Sequence, residues 1–251
     1  MKIIGVYSIK GGVGKTAAAV NLAYLAARAG QKTLLCDLDP QASASYYFRV
    51  RPASGFSVRK LFKGVKILDR YVRATDFPDL DLLPARLSHR KLDLLLSARK
   101  KPRRQLWSIL AGFSADYARV FLDCPPNISL VSENIFYAAD HLLVPVVPTT
   151  LSLLAFEKLV KFFRDRQLDP GRLLPFFSMV EERKAMHRDA MQQLRASGHG
   201  FLRSVIPYSA EVERMGLHRA PINHFRPGAA AARACLALYH ELEARIAAAD
   251  D

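Results

Sequence analysis

The sequence has few cysteines, and its three thiols (Cys36, Cys124 and Cys235) are far apart and odd in number. No C-x-x-C pair occurs, so neither a disulfide framework nor a cysteine-held metal knuckle is indicated. Long hydrophobic runs are also missing. Although 50% of the residues are apolar, no stretch approaches the roughly 20 that a helix needs to span a bilayer. The N-terminus carries no secretory pattern, because the apolar stretch Ile3 to Ile9 is short and runs straight into a glycine-rich turn. These features read as a cytoplasmic chain. Negative charge is scarce as well: 37 Lys and Arg stand against 23 Asp and Glu, a formal net charge of +14. Such a balance asks for an anionic partner. The excess is uneven, since residues 49–119 hold 17 basic side chains against six aspartates, leaving 20 against 17 elsewhere. At 251 residues the chain has the length of one α/β domain, 1–251, whose core needs no covalent staples.

What is present is concentrated at the start. The β-branched and aromatic run Ile3 to Ile9 predicts a buried parallel strand, and Ala17 to Ala29 has a helical pattern. Between them stands Lys10-Gly11-Gly12-Val13-Gly14-Lys15-Thr16. A strand, a glycine-rich turn and a helix in this order point backbone N–H groups and a helix N-terminus at a phosphate chain. Glycines let the backbone approach the phosphates and take positive φ. Lys15 is placed to reach the β- and γ-phosphates and the Thr16 hydroxyl to ligate Mg²⁺. The ordinary pattern G-x-x-x-x-G-K-[ST] fails, because Ile9 stands where its first glycine belongs. A second lysine, Lys10, opens the loop instead.

This loop resembles that of the deviant Walker A ATPases of the ParA/MinD type. The resemblance implies an α/β fold, a mostly parallel twisted sheet with helices on both faces, and ATP with Mg²⁺ as cofactors. It assigns Gly11, Gly12, Val13, Gly14, Lys15, Thr16 and Ala17 to the phosphates and gives Lys10 a role across a dimer interface, on the partner's nucleotide. Further along, Lys32 to Asp37 predicts a second buried strand that ends in Asp37-Leu38-Asp39-Pro40-Gln41. Carboxylates at the carboxyl end of a parallel strand lie in the ligand crevice of such sheets. In the family this segment is a switch, which puts Asp37 near the Mg²⁺ shell and makes Asp39 the residue that positions the attacking water. Tyr117 to Asp123 followed by Cys124-Pro125-Pro126 has the Walker B form, and Asp123 is the third metal-shell candidate.

The remaining chain is read more coarsely. Ser57 to Phe62, Lys66 to Val72, Leu87 to Leu96, Leu106 to Phe113 and Ser132 to Ala139 predict helices. Asp79 to Pro84 and His141 to Val147 predict strands, with Pro145 awkward inside the latter. Leu151 to Arg166 has a helical period carried by Leu154, Leu159, Phe162 and Phe163. Leu173 to Val180 and Phe201 to Pro207 resemble the last two strands of the family, and Met179, Pro207 and Tyr208 hold the places that embrace adenine. The basic run Arg99 to Arg104, broken by Pro102, reads as an exposed loop that either grips an anionic surface or solubilises. ParA proteins bind DNA through basic residues in the final third, where Arg195, Arg203, Arg214, Arg219 and Arg226 are the candidates.

The resemblance thus implies a stand-alone ParA/Soj-type partition ATPase. Such a protein forms an ATP-sandwich homodimer and binds double-stranded DNA non-specifically in a salt-sensitive way. It hydrolyses ATP on engaging a ParB-like or cargo-adaptor protein, and it is nucleoid-associated. Two other readings remain open: a MinD-like ATPase on the membrane, and a DNA-binding regulatory module with vestigial hydrolysis. The tail from Leu236 to Asp251 ends acidic with one arginine, which suits anionic lipid poorly. Iron-protein relatives would need paired cysteines.

Overall fold

Short buried strands joined by helices leave the chain one economical arrangement, a parallel sheet covered on both faces. The structure, a computed structural model, describes residues 1–249. In chain order the regular elements are β1 (Lys2–Val6), α1 (Lys15–Arg28), β2 (Thr33–Asp37), α2 (Ser43–Tyr47), α3 (Val65–Leu68), β3 (Arg73–Ala74), β4 (Leu80–Leu83), α4 (Leu92–Ser97), α5 (Gln105–Leu110), β5 (Arg119–Asp123), α6 (Leu130–Ala138), β6 (His141–Val146), α7 (Thr150–Asp165), β7 (Leu173–Val180), α8 (Ala185–Ala196), β8 (Val205–Pro207), α9 (Ala210–Glu213), α10 (Met215–His218), α11 (Ile222–Phe225) and α12 (Ala230–Ala248). The eight strands form one sheet in the order β3-β4-β2-β5-β1-β6-β7-β8. Every pairing is parallel except the edge pair β3–β4. One core cluster includes residues of α4 to α7, and the other is built from α1, α12 and the strand residues facing them.

Topology positions the chemistry. β5 lies between β1 and β2, so the strands that end in the phosphate loop, in Asp37 and in Asp123 are neighbours. The register sets Asp37 directly opposite Asp123 and Val6 opposite Asp123 as well. Three segments far apart in sequence therefore terminate side by side, at the carboxyl edge where such sheets take their ligands.

Several expectations are revised. β1 ends at Val6 rather than Ile9, although the Tyr7 N–H still donates to the Leu143 carbonyl at 3.0 Å. Pro145 sits inside β6 without cost to the ladder. β6 pairs with β1 only through Leu143, and the side of Pro145 that lacks an N–H faces β1 two residues beyond that point. Leu154 is 47% exposed, and the buried stripe of α7 runs instead through Phe156, Leu159, Val160 and Phe163. Of Phe201 to Pro207 only Val205–Pro207 is strand. The backbone N–H groups of Arg203 and Ser204 donate to the Glu241 carboxylate of α12, at 2.7 and 2.9 Å, instead of entering a ladder.

The basic loop is anchored to its own chain. Arg99 lies over the Phe62 ring, Arg103 pairs with Glu133 at 2.5 Å, and Arg104 lies over the Tyr137 ring. Asn134 accepts from the N–H groups of Gln105 and Leu106 and donates to the Pro102 carbonyl, which pins the turn. The last helix uses its apolar stripe internally. Leu238, Tyr239, Leu242 and Ile246 of α12 are buried in the cluster that also contains α1. Among the described residues no helix is long and apolar enough to cross a membrane.

Candidate functional site: a phosphate cradle beside two buried carboxylates

The loop between β1 and α1 is built for close approach. Gly14 is the N-cap of α1 with φ of 90°, a left-handed conformation that a side chain would strain. No side chain caps the helix, so the donors of its first turn stay available at the cavity, where the helix dipole favours an anion. Val13 is buried and does not line the cavity over the loop. Lys15 is 7% exposed, and its ammonium donates to the Lys10 carbonyl at 2.9 Å, closing the loop on itself. Burial pushes the Lys15 pKa down, and Asp123, Cys124 and Asp39 oppose that shift. A phosphate in this position would neutralise a cation that the fold has partly stripped of water.

A cavity of about 440 Å³ opens over this loop. Gly11, Gly12, Gly14, Lys15, Thr16, Ala17 and Asp39 line it on the phosphate side, and Met179, Pro207 and Tyr208 line it on the other. Ten residues singled out in the sequence therefore share one cavity. Tyr208 is half exposed at the rim, and its hydroxyl donates to Glu213 at 2.9 Å. Lys10, Asp37 and Asp123 stand beside the cavity rather than in its lining. The Lys10 ammonium donates to the Ser152 hydroxyl of its own chain at 3.3 Å.

Asp37 and Asp123 are both fully buried. Asp37 accepts from the Ser45 N–H and hydroxyl at 2.8 and 2.7 Å through one oxygen, and its other oxygen finds no hydrogen-bond partner. Neither oxygen of Asp123 finds one. Burial raises the Asp123 pKa well above the usual carboxylate range. Asp37 adds to the rise, while Thr16 and Lys15 act against it. Burial raises Asp37 to about 6, against the Ser45 hydrogen bonds that lower it. Unpartnered carboxylate oxygens in a dry site are costly unless a cation meets them. No cluster of three His, Cys, Asp or Glu able to hold a metal occurs among the described residues. The donor set of two carboxylates and the Thr16 hydroxyl fits Mg²⁺, which is held by one or two carboxylates and otherwise by phosphates and water. Asp39 is half buried and accepts from the Gln41 N–H at 2.9 Å.

Sequence reasoning misses several lining residues. Ser178 and Tyr47 are the most informative, together with Asn21 and Cys235. Asn21 ties α1 to the C-terminal segment, accepting from the Ile222 N–H at 2.9 Å. No motif marks these residues, because they come from strands and helices outside the loop.

None of the five candidate arginines lines the cavity. Arg195 donates to the Arg203 carbonyl at 3.2 Å and lies over the Phe177 ring. Arg214 pairs with Glu211 at 3.5 Å, and Arg219 stacks on Tyr46 and donates to its carbonyl. Arg203 and Arg226 are exposed.

Comparison with known proteins agrees with this geometry. The profile of a family described as AAA domain (AAA_31) matches residues 1–170. The chromosome-partitioning ATPase Soj of Treponema pallidum is 28% identical over 241 residues, covering 94% of each chain. Among solved structures, a plasmid partition protein of Borrelia burgdorferi bound to AMPPNP superposes with a TM-score of 0.80 at 21% identity, over 97% of this chain and 99% of its own. The cell division ATPase MinD of Pyrococcus furiosus superposes at 0.76 and 21% identity, over 96% and 98%. With the phosphate loop, the paired carboxylates and the eight-stranded sheet all in place, the chain belongs to this AAA-domain family, as a homologue of the Soj/ParA partition ATPases.

Proposed function

We propose that this protein is a Mg²⁺-dependent ATP hydrolase that closes into a homodimer around ATP and in that state binds double-stranded DNA without sequence preference. Hydrolysis, stimulated by a ParB-like or cargo-adaptor protein, then drives the positioning or segregation of a plasmid, a chromosome or a protein complex. The setting is the cytoplasm, on the nucleoid. The observation that carries this reading is the pair of buried, incompletely hydrogen-bonded carboxylates set opposite one another beside a phosphate cradle whose lysine is itself buried.

In the mechanism, the N–H groups of Gly11 to Ala17 and the Lys15 ammonium hold the phosphate chain and gather its negative charge. Thr16, Asp37 and Asp123 would hold Mg²⁺, which supplies further charge neutralisation for the transferred phosphoryl group. Asp39 orients a water for attack on the γ-phosphorus. A bond forms from that water to phosphorus as the bond to the ADP oxygen breaks, and the proton the water gives up ends on a phosphate oxygen, leaving ADP and dihydrogen phosphate. The base sits toward Met179, Pro207 and Tyr208. Lys10 is hydrogen-bonded within its own chain in the monomer. In the dimer it would leave Ser152 and approach the γ-phosphate of the second copy, so that assembly and transition-state stabilisation depend on the same contact.

DNA binding follows from the surplus of exposed cations, and it should weaken steeply with salt as counterions are retained. Membrane attachment through the C-terminal helix is disfavoured, because its apolar stripe is buried in the core. The test is a DNA-binding titration across salt concentrations with ADP, ATP and a non-hydrolysable analogue, run alongside ATP turnover with and without DNA. The expected result is tight, salt-sensitive binding with the analogue and little with ADP. Binding that ignores the nucleotide, with no turnover, would instead identify a regulatory DNA-binding module.

A further inference from the structure

Ser178 belongs to β7, and nothing in the loop's own sequence points to it. Its side chain is 3% exposed, and its hydroxyl donates to the Val13 carbonyl at 2.9 Å, across a separation of 165 residues. The fit is close: a Cβ at Gly14 would stand 3.0 Å from that same hydroxyl oxygen. The accepting carbonyl and the Gly14 N–H are the two ends of one peptide group. That peptide is trans and planar, so the carbonyl and N–H point in opposite directions. Holding the carbonyl against β7 therefore fixes where the Gly14 N–H is aimed, and this N–H is one of the donors a phosphate in the cradle would accept from.

The same strand end also builds the opposite wall of the cavity. Met179, the next residue, lines the cavity and holds a φ of 54°, a sparsely populated conformation for a residue other than glycine. Val180 accepts from the Tyr208 N–H at 2.9 Å, which brings the rim aromatic onto β7. Three consecutive residues thus connect the phosphate loop, the cavity wall and the rim. The loop's other long-range hydrogen bond, from the Lys10 ammonium to the Ser152 hydroxyl at 3.3 Å, holds a side chain rather than a peptide group of the cradle.

We propose that Ser178 is a positioning residue for nucleotide binding, whose hydroxyl orients the Val13–Gly14 peptide so that the Gly14 N–H meets the phosphate. This rests on the ATP reading above. A hydrogen bond that served only to stabilise the fold would change the melting of the ligand-free protein and leave the amide geometry of the bound state alone.

The experiment uses the full chain with ADP and Mg²⁺, conditions in which the proposed dimer does not form. Affinity is measured for the wild type, Ser178→Ala, Ser178→Thr and Ser178→Cys. At saturating ADP the Gly14 amide is followed by nuclear magnetic resonance, and the ligand-free proteins are melted separately. Losing one neutral hydrogen bond should weaken ADP about tenfold in Ser178→Ala. The downfield displacement of the Gly14 amide proton on binding should shrink in step. Ser178→Thr, which keeps the hydroxyl, should stay within about twofold of wild type, and Ser178→Cys, a similar volume with a weak donor, should lie between. An unchanged Gly14 shift with unchanged affinity in the Ala and Cys variants would overturn the assignment to Ser178 while leaving the ATP reading intact. A wild type that binds neither ADP nor ATP would overturn that reading and this one with it.

Discussion

In the phosphate loop Lys15 is nearly inaccessible, its ammonium held on the Lys10 carbonyl and its pKa lowered by burial. In the arginine-rich final third Arg203 and Arg226 stand exposed, while Arg214 and Arg219 are already engaged by Glu211 and Tyr46. Both regions are positive. The first holds its charge where backbone geometry dictates and keeps water away, so a single ammonium dominates a specific site. The second spreads charge over side chains that water and neighbouring acceptors already satisfy, so each cation is worth little and only the sum matters. Substitution effects in the two regions should therefore differ by orders of magnitude.

The largest effect is expected from Lys15→Ala, which leaves buried phosphate charge unanswered. Nucleotide affinity should fall at least about a hundredfold by equilibrium titration. Asp39→Ala should keep ATP bound but cut turnover about a hundredfold or more, the scale of losing the group that positions the attacking water, and should trap the ATP dimer. Turnover at the wild-type rate would refute its assignment. Lys10→Ala should bind ATP with little change yet self-associate at least about tenfold more weakly in sedimentation, the scale of one lost charged contact, which separates the two lysines of the loop by role.

Asp123→Asn sharpens the contrast from the acidic side. Without ligand, Asp37 and Asp123 bind protons more tightly in the folded chain than in the unfolded one. The folded state therefore carries more protons, and stability falls as pH rises from about 4, the unfolded value, through about 6 for Asp37. Neutralising Asp123 should raise the ligand-free melting temperature at about pH 7.5 by a few degrees and abolish any gain in melting temperature from Mg²⁺ with nucleotide. The smallest effects belong to the surface. Arg203→Ala and Arg226→Ala should each weaken DNA binding a few-fold and lower the salt slope by about 0.9. Arg214→Ala and Arg219→Ala should do less, because their guanidinium groups are already partnered.

The same division explains how much of the molecule is legible in its sequence. The loop, Asp37 and Asp123 are legible because a phosphate site needs particular residues at fixed spacing on strand ends, and the sheet order then brings those ends together. β7 is legible to the residue, since Leu173 to Val180 is a nearly unbroken apolar run. By contrast, Phe201 to Pro207 has the composition of a full strand. Its first half is held by Glu241, a residue 38 positions beyond Arg203 that no local pattern announces. The edge strand β3 is two residues long and polar at Arg73, too short to carry a period. Helix α8 gives little signal, because its buried side is only His187, Ala190 and Leu194. Ser178 stays hidden for the same reason as Glu241: its partner is distant in sequence, and an isolated serine in an apolar strand has no signature.

The central claim, that triphosphate makes two copies close on each other through Lys10, is tested most directly by sedimentation of the wild type and Lys10→Ala with ADP and with a non-hydrolysable ATP analogue. A dimer for the wild type with the analogue alone, and a monomer for Lys10→Ala in both, is the predicted result. A wild type that remains monomeric with saturating analogue, or a Lys10→Ala variant that dimerises equally well, would contradict it.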